Sequence, residues 1–163
     1  MAAPISDLYK GWDKHNSLLV RAIGPLDQEQ LSLKPAEDMW SVRMIASHIV
    51  GVRAWWFHAW MDVGGEELAG FIDFDEREET DHWTGAQIAD GLERTWSSLA
   101  ASLASWTEDD LGEEFQRPAP NKEGLRPRRT RQFIIWHVAE HDVHHGGEIS
   151  LILGTHGAPG FDM

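Results

Sequence analysis

A chain of 163 residues is the size of one ordinary domain and can bury a substantial core, which its 42% hydrophobic content and nine Trp support. Fourteen Lys and Arg against 27 Asp and Glu leave a formal charge of −13, which argues against a general nucleic-acid binder or an anionic-membrane binder, because both need surplus cations. With no Cys, the chain has no disulfide framework, no thiolate metal site and no sulfur nucleophile of its own.

Residues 1–13 carry Asp7, Lys10 and Asp13 where a leader would be apolar, and no apolar run approaches membrane length. The expectation is a soluble cytoplasmic protein. The first helix is predicted over 6–23, with Ser6 as N-cap and Gly24-Pro25 as the stop. Leu8, Trp12, His15, Leu19 and Ala22 form its apolar stripe, and 27–31 adds a short turn before Pro35. The second helix is predicted over 41–63, ended by Gly64-Gly65. Around His48 its neighbours Met44, Ile45, Val52, Trp55 and Ala59 are all apolar, so this helix is central. Trp55, Trp56 and Trp60 follow, either as core or with one of them walling a pocket beside His48. Residues 66–82 hold Asp73, Asp75, Glu76, Glu78, Glu79 and Asp81 and are predicted to be an irregular, solvated connection.

Thr84 is the predicted N-cap of a third helix running to Trp106, with Ile88, Leu92, Trp96, Leu99 and Leu103 on one face. Thr107-Glu108-Asp109-Asp110 reads as a new cap with a short helical piece. Residues 112–129, with three Pro and two Gly, are predicted to be a long loop. Thr130 caps a fourth helix ending near Gly154, and 155–163 is a Gly- and Pro-containing tail over the surface. Strand-like alternation is absent. The expected fold is an all-α, four-helix bundle, up-and-down-like with a long crossover or two, forming a single domain over 1–163.

The fourth helix carries the chemistry. His137, His141 and His145 stand four residues apart, with His144 and Glu148 interleaved. Each four-residue step rotates only about 40° round the helix, so the ladder keeps to one stripe. Ile134 and Ile152 lie on that stripe and point it into the core. Imidazoles converging in a core need partners, and nitrogen ligands at i and i+4 can both reach one divalent ion. A third ligand must come from another element: His48 is the best candidate, His15 a weaker one, and His58 faces away.

Which rungs bind is open from spacing alone. His137-Val138-Ala139-Glu140-His141 spells the inverted zinc-peptidase pattern H-x-x-E-H, with Glu140 as general base, although the chain is small for a peptidase. Three neutral His with an open position would make a Lewis-acid site. Arg126, Arg128, Arg129 and Arg131 form the one dense basic cluster. Arg128, Arg129 and Arg131 are candidates to hold a carboxylate or phosphate at the mouth of the site, or else form a solvated face that offsets nearby acids.

The segment from Phe133 through His137-Val138-Ala139-Glu140-His141-Asp142-Val143-His144-His145-Gly146-Gly147-Glu148 to Ile149 resembles the C-terminal signature of the DinB/YfiT-like superfamily. Trp40-Ser41-Val42-Arg43-Met44-Ile45-Ala46-Ser47-His48-Ile49 resembles that superfamily's second-helix motif, whose last His is a ligand. Gly146-Gly147-Glu148 replaces the frequent Arg-Gly-Gln, which leaves Glu148 to bond a ligand imidazole, bind metal or remain a plain charged position. The resemblance implies a four-helix metal-binding bundle with His48, His141 and His145 as the triad for a divalent ion, zinc or nickel. It also implies a metal-dependent enzyme on a small-molecule substrate, of thiol S-transferase, isomerase or hydrolase type, using an external low-molecular-weight thiol. The alternative is a non-catalytic metal-binding bundle. A homodimer is expected by analogy with the family.

Overall fold

Side-chain caps start three of the four long helices. Ser41 Oγ accepts from the Met44 N–H, Thr84 Oγ1 from Gln87 and Thr130 Oγ1 from Phe133, each satisfying a donor that the first turn leaves orphaned. The computed structural model describes residues 3–161. Its long helices are α1 (Lys10–Ile23), α2 (Val42–Ala54), α3 (Gly85–Ser105) and α4 (Arg131–Thr155). Two helical departures from expectation have local causes. Residues Ile5–Leu8 form a separate 3-10 turn broken from α1 at Tyr9 (φ −116°, ψ 23°), which leaves Leu8 exposed. Beyond Ala54, α2 relaxes into a π-helical turn, Trp55–Trp60, then stops where Asp62, Gly64 and Gly65 take positive φ.

Packing pairs α1 with α3, α3 with α2 and α2 with α4, and a thinner α1–α4 contact closes the ring. Helices α1 and α2 therefore occupy opposite corners, as do α3 and α4, so both connections cross the bundle. The core runs through Leu19, Ile49, Phe57, Leu92, Leu99 and Ile134, all fully buried. One buried ion pair joins every helix. Asp142 Oδ2 of α4 accepts from Arg53 Nε of α2 (2.9 Å) and Trp12 Nε1 of α1 (2.6 Å), while Arg53 Nη1 donates to Asn16 Oδ1 and to the Leu92 carbonyl of α3.

Residues 66–82 are not a solvated connection. Leu68 and Thr80 are buried on a helical turn (Gly65–Ala69) and a 3-10 turn (Glu78–His82), and Phe71 and Phe74 are buried on the turns between them. Their apolar side chains pack inward every third residue while most of the acids face out. Residues 112–129 likewise contain structure: β1 (Glu114–Gln116) pairs antiparallel with β2 (Arg128–Thr130), Phe115 opposite Arg129. Three-residue strands are too short for alternation to show. This hairpin is the one sheet among the described residues, and the fold is an all-α bundle. The tail is pinned where Ser150 Oγ bonds both the N–H and the carbonyl of Phe161; residues 162–163 lie outside the described ones. Among the described residues, no helix is long and apolar enough to cross a membrane.

Candidate metal centre

Helix α2 presents His48 and helix α4 presents His141 and His145, one turn apart. Ring centroids lie 4.9 Å apart for His48–His141, 4.3 Å for His141–His145 and 5.4 Å for His48–His145. One ring nitrogen from each falls within 4.8 Å of the other two, a span that a single ion with bonds of about 2.0–2.1 Å can bridge.

The donor set fits a divalent metal on three further observations. His48 Nδ1 lies 2.6 Å from Asp75 Oδ2, and His145 Nδ1 lies 2.6 Å from Glu148 Oε2. A carboxylate on Nδ1 fixes its proton there and leaves Nε2 as a lone-pair donor, the arrangement that orients metal-bound histidines. Burial, followed by the neighbouring imidazoles of His145 and His48, pulls the His141 pKa down to about 3, so this ring is neutral at physiological pH. Finally, His141 Nδ1 is buried without a hydrogen-bond partner. An orphaned nitrogen on the ring central to the cluster is a cost that a cation can offset.

Two of the supporting groups escape a reading of the sequence. Asp75 sits in the acidic run, indistinguishable there from its solvated neighbours. Its approach depends on Gly51, one turn beyond His48: a Cβ on Gly51 would meet Asp75 Oδ1 at 2.2 Å. A glycine inside a core helix was the available signal. Trp40 is the other, its ring 5.0 Å from His48 and stacked at 6.3 Å on His145.

The remaining candidates lie elsewhere. His15 is buried with Nε2 2.9 Å from the Asp142 carbonyl, and His58 Nδ1 is 3.0 Å from the Val63 carbonyl. His137 packs against Trp56 and Phe133, and Glu140 is an exposed residue 3.9 Å from His137, so the H-x-x-E-H pattern forms no converging group. His144 is exposed, 3.3 Å from Glu148. With His145 they make a second cluster of nitrogen and oxygen atoms at the surface.

The arginines are not brought to the histidines. Arg128 pairs with Glu114 across the hairpin, and Arg129 lies over the Phe133 ring. Arg131 is buried, donating to Glu113 Oε2 and to the Asp110 carbonyl between the Trp106 and Phe115 rings. It locks the hairpin to α4. Ten residues, about 15 Å of helix, separate it from His141. The basic group near the site is instead Arg117, which lies over the Trp55 ring.

Two cavities flank the centre. One of about 400 Å³, on the His48 side, is lined by Trp55, Arg117 and the carboxylates Asp73, Asp75 and Glu76; Trp55 thus walls the pocket, while Trp60 is core. The other, on the His145 side, is mainly apolar.

Comparison with known proteins follows the same lines. The DinB family model matches residues 1–162. A crystal structure of a DinB-like protein from Bacillus cereus ATCC 10987 is similar over 100% of this chain and 99% of that one, with a TM-score of 0.70 and 19% identity. At that identity the likeness speaks to fold alone. No curated protein matches the chain.

Proposed function

The chain belongs to the DinB family, and on that footing we propose that it binds one divalent ion, zinc or nickel, through His48, His141 and His145. In this reading the protein is a metal-dependent enzyme of thiol S-transferase, isomerase or hydrolase type acting on a small molecule. The observation that carries it is the convergence of three ring nitrogens within 4.8 Å, two of the rings oriented by carboxylates. Such an ion supplies Lewis acidity that lowers the pKa of a bound thiol or water.

The chain's own groups do the rest. Asp75 and Glu148 hold His48 and His145 in one tautomer and orientation. Burial keeps His141 neutral and ready to donate its lone pair. Trp40 shields the His48 and His145 rings on one side. Arg117 lines the cavity beside His48 together with Asp73, Asp75 and Glu76, so a polar group of a co-substrate there meets charges of both signs; the sequence suggested Arg128, Arg129 and Arg131 for holding an acidic group. The absence of Cys agrees with a thiol supplied from outside. The same proposal includes a homodimer, formed through the exposed Trp136 and Val143 of α4.

Cobalt(II)-loaded protein separates the enzyme from a non-catalytic bundle. The enzyme reading expects added 2-mercaptoethanol to produce a sulfur-to-cobalt charge-transfer band, and expects metal-dependent conjugation of that thiol to 1-chloro-2,4-dinitrobenzene. A cobalt spectrum indifferent to thiol, with metal removal lowering only the melting temperature, would identify a structural ion.

A further inference from the structure

The cavity on the His145 side is about 410 Å³ in volume, and its Met39, Leu151 and Ile152 walls have no part in holding a metal or orienting its ligands. Its walls are Met39, Trp40, Leu151 and Ile152, and its polar end is His145 with Glu148. Met39 is 52% exposed, Trp40 45% and Leu151 67%. Large apolar side chains gathered round one concavity, rather than scattered, mark a place where apolar surface is meant to be covered. The volume lies within the range of about 300–1,000 Å³ usual for small-molecule sites.

Continuity with the histidines sets the orientation of an occupant. The Trp40 ring is a wall of this cavity and also touches His48 and His145. A molecule lying along Trp40 therefore has one end among apolar side chains and the other at the imidazoles. The carboxylate of Glu148 at the polar end disfavours an anionic substituent there. The opposite cavity sets Val52, Trp55 and Ile72 beside Asp73, Asp75, Glu76 and Arg117, so its apolar surface is broken by charge. The two sides of the centre thus sort a ligand by polarity.

We infer that the Met39–Trp40–Leu151–Ile152 cavity takes the uncharged apolar substituent, an alkyl chain or a single ring, of the small molecule whose polar group reaches His145. The identity of that polar end rests on the metal reading above; the apolar subsite itself does not.

Two titrations keep these apart. Full-length protein labelled with ¹³C at its Met methyls is titrated with n-alkanols from propanol to heptanol. The Met39 methyl, assigned with Met39→Leu, should shift and saturate, with affinity rising about fourfold per methylene until the cavity fills. Met61, buried in the core outside the cavity lining, should stay in place. Leu151→Asp, at an exposed position that leaves folding intact, should abolish the dependence on chain length. A Met39 signal that ignores alkanols, a flat chain-length series, or an unchanged series in Leu151→Asp would overturn the inference. So would a Met39 shift driven by protein concentration alone, which would make a second copy of the chain the occupant. On cobalt-loaded protein, alkyl hydroxamates of increasing length should then reproduce the same slope in the cobalt spectrum. A spectrum indifferent to acetohydroxamate, with the alkanol slope intact, would remove the metal reading and leave the apolar subsite standing.

Discussion

Asp75 Oδ2 lies 2.6 Å from His48 Nδ1, with both side chains only about a fifth to a quarter exposed (20% and 25%). That contact turns a histidine on a helix face into one with a fixed tautomer and a fixed aim. Asp75→Asn should weaken metal binding by about 10–100-fold, the usual effect of losing an orienting partner, as read by competition with a chromophoric chelator. Gly51→Ala should weaken it in the same direction by displacing the Asp75 carboxylate, while leaving all three imidazoles in place. His141 gives a second prediction. Its folded-state pKa of about 3 lies below the ordinary 6.5, so the unfolded chain binds more protons between those values and stability rises with pH across that interval. For metal-free protein, the contribution is complete above about pH 6.5 and is lost progressively as pH falls toward 3. His145, lowered chiefly by burial, acts with the same sign. The urea midpoint of metal-free protein should therefore fall with acid, and more gently in His141→Gln. At this scale the histidines were legible because a repeat of four residues has one meaning on a helix. Asp75 was not, because nothing local distinguishes the one acid in a run that turns inward.

The elements are held in register by a contact that joins all four helices. Arg53 and Asp142 are both fully buried, and Asp142 adjoins His141 in sequence. The pair thus fixes the rotation of α4 relative to α2, which sets whether His141 and His145 face His48 or the core. Asp142→Ala leaves the Arg53 guanidinium buried without its counter-ion and should cost about 3–5 kcal/mol in urea denaturation. Replacing both, Arg53→Met with Asp142→Leu, should cost far less, since no uncompensated charge remains. The four helices were readable from caps and breakers: Ser41, Thr84 and Thr130 begin them as expected, and Gly64 stops the second. The segments between them were misjudged for physical reasons. In residues 66–82 the acids mask an inward Leu68, Phe71 and Phe74, and in the hairpin the strands are only three residues long. Arg131 illustrates the same point. A charge run is read as solvated or as a ligand site, yet this guanidinium is buried against Glu113, Trp106 and Phe115.

At the scale of the whole molecule, the acidic chain places its candidate chemistry at the junction of α2 and α4, between an acidic cavity and an apolar one. The proposed homodimer predicts a sedimentation-equilibrium mass of twice the 18.4 kDa chain, shifting to the single-chain value in Trp136→Glu. All of the chemistry depends on the three imidazoles acting together. The most direct test is elemental analysis of protein dialysed against trace zinc and nickel, comparing wild type with single alanine variants. The expected result is one ion per chain in wild type, in His137→Ala and in His144→Ala, and a near-complete loss in His48→Ala, His141→Ala and His145→Ala. Undiminished metal in His141→Ala, the ring at the centre of the cluster, would contradict the account.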